Sequence, residues 1–238
     1  MEHTTELEKI LHKIGRNFSV KFEPLAIDGQ TFDILAVENM PAYLDKLVAG
    51  GSIADPLRDL PLWAKVWPAS FVLAKALKTI DTKDKTLLEL GAGMGVCSIM
   101  ASYYDLKKIT VSDSSEDALD FARANVLKNN LSSLIDIRSL DLSSPGPDPR
   151  FAGTTDIIMA SELLYLDNLH RPLLKFISRA LAPGGKALLC QDLSRAKPRF
   201  KKLAEKSFKV REGRTAVKSV DENKEEERRI YSVLILEK

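Results

Sequence analysis

The chain has 238 residues, 45% of them hydrophobic and 29% charged, enough apolar side chain to bury one substantial core. Its 35 basic and 33 acidic residues leave a net charge of +2, so no overall field marks it as a nucleic-acid or membrane binder, and no stretch is long and apolar enough to span a bilayer. The first residues carry Glu2, Glu6, Glu8 and Lys9 in place of a basic region followed by an apolar run, which argues against a secretory signal there. Cys97 and Cys190 lie in apolar runs without the paired spacing of a zinc site, and His170 and the other two histidines show no ligand spacing. Buried reduced thiols, no metal and a cytoplasmic, monomeric protein are expected.

In chain order, residues 1–61 read as an extension of helix, β-hairpin and helix. Val20–Leu25 and Thr31–Val37 flank Asp28-Gly29, a hairpin turn pair, and a helix follows from Pro41 to about Val48. A loop with Gly50, Gly51 and Pro56 leads to Leu62-Trp63-Ala64-Lys65-Val66-Trp67-Pro68, where the main domain, 62–238, begins. Ala69–Ile80 is an apolar helix. From Thr86 onward short β-rich runs alternate with helical patterns, the signature of βαβ crossovers around a mainly parallel sheet covered on both faces. Strands are expected at Thr86–Leu90, Lys108–Ser112, Ile135–Leu140, Asp156–Ala160 and Lys186–Gln191, and helices near Val96–Tyr104, Ser115–Asn129, Asn168–Ala180 and Pro198–Ser207. Asn129-Asn130, Ser143–Pro147 and Pro183-Gly184-Gly185 punctuate them as turns and loops. Phe208–Val217 and Arg229–Leu236 read as an antiparallel pair joined by the acidic loop Asp221–Glu227.

The motif with the most chemistry is Glu89-Leu90-Gly91-Ala92-Gly93-Met94-Gly95, a strand ending in a glycine-rich turn that runs straight into a helix. Glycines let backbone approach a ligand closely, and this is where α/β sheets bind nucleotides. Close strand-to-helix packing also demands glycine. A dinucleotide fold places its third glycine three residues after the second, whereas Gly95 follows Gly93 by two. Asp113 ends the second strand, where a carboxylate can accept from both hydroxyls of a ribose under either reading. Glu89, two residues before the glycine, is ill suited to a pyrophosphate and suits a cationic sulfonium; alternatively its carboxylate is satisfied by turn amides.

Together, the glycine turn, Asp113, Asp141 after the third strand and Pro183-Gly184-Gly185-Lys186-Ala187-Leu188-Leu189 resemble the class I, seven-strand S-adenosylmethionine-dependent methyltransferases. The resemblance covers Leu87 to the C-terminus. It implies a Rossmann-like, doubly wound and mostly parallel seven-stranded sheet with an antiparallel C-terminal hairpin. By resemblance, Gly91, Ala92, Gly93 and Gly95 line the methionine part of the cofactor, Asp113 with Ser114 meets the ribose, and Asp141 with Leu142 meets the adenine. Leu62–Pro68 and Ala160-Ser161-Glu162-Leu163-Leu164-Tyr165 resemble more narrowly the nicotinamide-N-methyltransferase-like, or lysine methyltransferase family 16, group. That group carries Trp-Pro before the domain and an acid three residues before an aromatic after the fourth strand. Here these are Trp67 and the Glu162/Tyr165 pair, with glutamate for the commoner aspartate.

This narrower resemblance implies that Glu162 and Tyr165 position the acceptor, with Trp67 and Ser161 at the cofactor. Trp63 and Trp67 are equally readable as core or lid aromatics, and Tyr165 as packing under its own loop. The Asn/Asp-Pro-Pro-Tyr signature of methyltransferases acting on planar amines is missing. Planar amide or base amines are therefore disfavoured; by the family resemblance a protein lysine is the first expected acceptor, with a small-molecule amine second and RNA third. A dehydrogenase and a non-catalytic binding module are the rival classes, the latter suggested by Arg195, Lys197, Arg199, Lys201, Lys202, Lys206, Lys209, Arg211 and Arg214, which dock an acidic partner or simply face solvent.

Overall fold

The computed structural model describes residues 2–51, 60–143, 149–220 and 226–238. The expected loop residues Pro56, Ser144–Pro147 and Asp221–Glu225 lie outside them.

Helix α1 (Glu2–Ile14) leads into strands β1 (Val20–Ile27) and β2 (Gln30–Val37), an antiparallel pair. Asp28 and Gly29 both take left-handed φ, 48° and 82°, the two-residue turn whose twist matches that of the strands. Helix α2 (Met40–Ala49) starts where the Asn39 side chain accepts from the Ala42 N–H. A short 3-10 turn at Leu62–Ala64 precedes α3 (Pro68–Ala76), which Pro68 opens at the position where a missing N–H costs nothing.

Alternation then sets in as β3 (Lys85–Leu90), α4 (Val96–Ala101), β4 (Leu106–Asp113), α5 (Glu116–Lys128) and β5 (Ile135–Ser139). The second half is β6 (Thr155–Ser161), α6 (His170–Ala180), β7 (Leu181–Asp192), α7 (Pro198–Ala204), β8 (Lys209–Val220) and β9 (Glu226–Glu237). The seven-stranded sheet runs β5-β4-β3-β6-β7-β9-β8, parallel from β5 to β7, with β9 antiparallel to both its neighbours. This is the Rossmann-like α/β arrangement expected, with its antiparallel C-terminal hairpin.

Because both faces of the sheet are covered, its central strands are apolar on both sides. Leu87, Ile109, Val111, Met159 and Cys190 pack with Leu73, Ile99 and Phe121 on one face. Leu88, Leu90, Ile158 and Leu189 pack with Leu173, Ile177 and Phe200 on the other. Several boundaries differ from the expected ones by a few residues, and in two places strand pairing explains the difference. Strand β7 begins at Leu181, opposite Thr155, and resumes at Lys186 opposite Ile157, so Pro183-Gly184-Gly185 belongs to a bulge within the strand instead of a turn before it. Gly184 makes that possible with φ +75°. The C-terminal strands extend to Val220 and Glu226 because each satisfies the other's backbone as far as the tip.

The N-terminal hairpin is fastened to α5 by amide side chains. Asn125, fully buried, accepts the Leu35 N–H at 2.7 Å through Oδ1 and donates to the Met94 carbonyl at 3.0 Å through Nδ2. Asn129 exchanges the same pair of bonds with the backbone of Asp33, at 2.9 and 2.8 Å. Lys13 of α1 reaches Asp120 at 2.5 Å, and Phe18 and Phe121 meet Trp63 edge-to-face. No helix among the described residues is long and apolar enough to cross a membrane.

Replacing Asn125 by leucine keeps its volume but strands one buried N–H and one buried C=O, each costing about 1–3 kcal/mol. Urea unfolding should show Asn125→Leu destabilised by about 2–5 kcal/mol, more than Asn129→Leu. Equal stability of Asn125→Leu and the parent chain would contradict the bridge.

Candidate active site

Strands β3, β4, β6 and β7 all direct their carboxyl ends to one cavity of about 680 Å³, within the range of small-molecule sites. Its floor is the turn between β3 and α4. Gly91, Gly93 and Gly95 take left-handed φ of 59°, 55° and 74°, which side-chain-bearing residues rarely adopt. A Cβ on Gly91 would stand 2.6 Å from the Leu163 side chain, and one on Gly93 would stand 2.9 Å from the Trp63 carbonyl oxygen. Backbone alone fits there.

Asp113, the last residue of β4, lies against this turn. Its Oδ2 accepts from the Gly93 N–H at 2.8 Å and its Oδ1 from the Ser115 N–H at 2.9 Å. Each oxygen retains a lone pair for a further donor. Ser114, Leu140, Asp141 and Leu142 continue the wall. Asp141 accepts from the Ser143 hydroxyl and N–H, which hold its carboxyl below the usual range.

Of the expected site residues, Trp67, Gly91, Ala92, Gly93, Asp113, Ser114, Asp141, Leu142, Ser161, Glu162 and Tyr165 line this cavity. Two do not. Glu89 points to the opposite side of its strand from Leu90, is 1% exposed, and its Oε2 accepts both the N–H and the hydroxyl of Ser98 in α4. Its carboxylate therefore ties the helix to the sheet behind the turn. Gly95 also faces away: a Cβ there would touch Ala122 at 3.4 Å and Val111 at 3.6 Å, so this glycine serves left-handed backbone and close packing.

At the other end of the cavity, Glu162 follows β6 with its N–H on the Cys190 carbonyl. Among the described non-glycine residues with positive φ, the other four are Asp or Asn, which tolerate that region; Glu162, at 53°, does not share their excuse. Strain of this kind persists where surrounding contacts impose it. Its Oε1 accepts from the Asp192 N–H at 2.9 Å, and its Oε2 lies 3.0 Å from Nη2 of Arg195. Burial pushes the Glu162 carboxyl up, and the Arg195 charge offsets only part of that rise. Burial also pushes up the Tyr165 hydroxyl.

Arg195 and its neighbours Ser194 and Lys197 line the cavity as well, which composition did not disclose. Arg195 ends the short turn Leu193–Arg195 directly after β7, and that carboxyl-edge position was the available signal. The rest of the basic stretch is partly neutralised. Lys201 and Arg214 both meet Glu212 at 2.8 Å, drawing its carboxyl down to about 2, and Arg211 pairs with Glu237.

Glu89 gives a pH test. Burial raises its carboxyl to about 7, against 4.5 for the free group, so between those values the folded chain holds more protons than the unfolded one. Stability then falls as pH rises through that window, by on the order of 3 kcal/mol. Glu89→Gln, neutral throughout, should gain on the parent chain by that amount between pH 4.5 and 8 in chemical denaturation. Parallel stability curves would contradict the assignment.

Known proteins resemble this chain in sequence and in fold. A family model described as lysine methyltransferase matches residues 59–207. The protein N-lysine methyltransferase METTL21A of Danio rerio is 30% identical over 162 residues, covering 63% of this chain and 70% of that protein. The solved structure of PH1948 from Pyrococcus horikoshii superposes with a TM-score of 0.57 at 19% identity, over 82% of this chain and 97% of that one. A phosphoethanolamine N-methyltransferase 2 of Haemonchus contortus, solved with S-adenosylhomocysteine, superposes with a TM-score of 0.52 at 14% identity, over 72% and 52%. On the match across well over half its length, the chain belongs to the lysine methyltransferase family and is an S-adenosylmethionine-dependent methyltransferase.

Proposed function

We propose that the enzyme methylates the side-chain amine of a protein lysine, in a cytoplasmic setting consistent with its two free, buried cysteines. The observation that carries this reading is Glu162, buried and held in left-handed backbone on the same cavity as the glycine turn, with Tyr165 beside it. The METTL21A relative, a protein N-lysine methyltransferase by name, supports the same choice of acceptor.

The residues present fit the cofactor. Backbone alone fills the cradle at Gly91 and Gly93, Asp113 keeps lone pairs for a ribose diol, and Leu140 and Leu142 offer an apolar edge for a base. S-adenosylmethionine, when bound, supplies a methyl group already activated on a sulfonium sulfur, so the protein needs no nucleophile of its own. What remains for this chain is alignment. A lysine amine attacks only when neutral, and its free pKa is about 10.4, so the site must also shed a proton from it. Glu162, whose Oε1 accepts from the Asp192 N–H and whose Oε2 lies by Arg195, orients the amine's N–H; Tyr165 supplies the side wall.

Incubation with methyl-labelled cofactor and a matched cell lysate, followed by acid hydrolysis, should place the label on methylated lysine. Under single turnover on the labelled protein, Glu162→Gln should lower the rate by about 10²-fold while S-adenosylhomocysteine affinity stays within about twofold. Label recovered only on small molecules or RNA, or an undiminished single-turnover rate, would overturn the reading.

A further inference from the structure

The acceptor end of the cavity holds an assembly that alignment of an amine alone leaves unexplained. Trp67 is fixed by its indole N–H, which donates to the Leu62 carbonyl at 2.8 Å. Over its ring lies the Arg195 guanidinium, 5.2 Å from the centroid, and the Lys65 ammonium is at the same distance. An aromatic face beside a buried carboxylate is the chemistry that recognises an organic cation. Here the chain's own arginine takes that place, and takes it badly. A guanidinium pairs best with a carboxylate through two parallel hydrogen bonds, but Oε1 of Glu162 is committed to the Asp192 N–H. Nη2 of Arg195 is sealed from solvent, 3.0 Å from Oε2, with no acceptor in line with its N–H bonds. It has lost water without gaining a hydrogen bond. The side chain is 36% exposed, so solvent is open to it.

We propose that Trp67 and Glu162 form the seat for the acceptor's ammonium group, and that Arg195 is an internal competitor which the substrate side chain displaces. This rests on the lysine reading of the acceptor, and it assigns Trp67 to the acceptor instead of the cofactor. The charges around the seat favour a single incoming cation. Asp192 is already faced by Arg229 at 3.6 Å, Asp113 is engaged at the glycine turn, and Lys197 leans towards Asp167 at 4.0 Å. When Arg195 withdraws, Asp192 keeps Arg229 as its partner, while Glu162 loses its nearest cation and is left with only the weaker pull of Arg229. An ammonium, with three freely rotating donors, can align one on Oε2 where the rigid fork cannot. Neutral acceptors bring no charge to displace the arginine, so the competitor selects for lysine-like amines.

The test is a titration of S-adenosylhomocysteine-saturated protein with Nα-acetyl-lysine methylamide, followed by the Trp67 indole N–H resonance. Arg195→Met, which keeps the apolar stem, and Arg195→Ala should each bind this probe about three- to tenfold more tightly than the parent, as expected if the seat is free about 10–30% of the time. Adding Glu162→Gln to Arg195→Met should erase the gain, and the neutral Nα-acetyl-norleucine methylamide should show none. Equal or weaker binding of the lysine probe by both single variants would overturn the proposal. Failure of the lysine reading shows itself separately, as label on another acceptor in the lysate, whatever the probe titration gives.

Discussion

Between Leu90 and Val96 the chain turns from strand to helix in left-handed backbone at Gly91, Gly93 and Gly95, and side chains from three different elements hold it there. Glu89 of β3 anchors the helix start through Ser98 from behind, Asp113 of β4 takes the Gly93 N–H in front, and Asn125 of α5 takes the Met94 carbonyl from below. Each of these hydrogen bonds involves a side chain that is buried or partly buried, and the Asp113 and Asn125 bonds join residues 20 and 31 apart. Asn125 carries the constraint outward, because the same amide receives Leu35 of the N-terminal hairpin. The extension is thus fastened to the backbone that floors the cavity, and Trp63, whose carbonyl backs Gly93, packs on Phe18 of the same extension.

The cavity divides its acids by environment. Asp113 accepts from two backbone amides, and Asp141 accepts from the Ser143 hydroxyl and N–H, which hold its carboxyl below the usual range. Glu162 is buried, raised by that burial and steadied chiefly by Arg195, with the Asp192 N–H and Arg229 adding to it. Asp192 beside it is pushed up by burial too, yet the Ser194 bonds and the Arg195 and Arg229 charges outweigh that and hold it below the usual range. A buried carboxylate that its neighbours' charges only partly steady is suited to meeting another cation.

Much of this was legible in the sequence for physical reasons. Strands buried on both faces read as unbroken apolar runs, glycine spacing marked the turn, and Asp113 ended a strand whose position the alternation fixed. What was not legible depends on three-dimensional pairing. The parity of β3 put Glu89 opposite Leu90, but nothing in the sequence said that Ser98 would be waiting on that side. Gly95 carries the same backbone signal as Gly93 and differs only in what a Cβ would strike. Arg195 read as one cation among nine, although its place just past β7 set it apart. Asn125 lies 90 residues from the amide it satisfies, a separation no local pattern reports.

We propose that this cavity holds the cofactor with its ribose on Asp113 and its reactive end towards Glu162. A crystal structure of the protein with S-adenosylhomocysteine tests it most directly. The expected result is both ribose hydroxyls within about 3 Å of the Asp113 carboxylate, the methionine part over Gly91 and Gly93, and the sulfur facing the wall formed by Glu162 and Tyr165. A ligand bound elsewhere, or one whose ribose leaves Asp113 to the Gly93 and Ser115 amides alone, would contradict it.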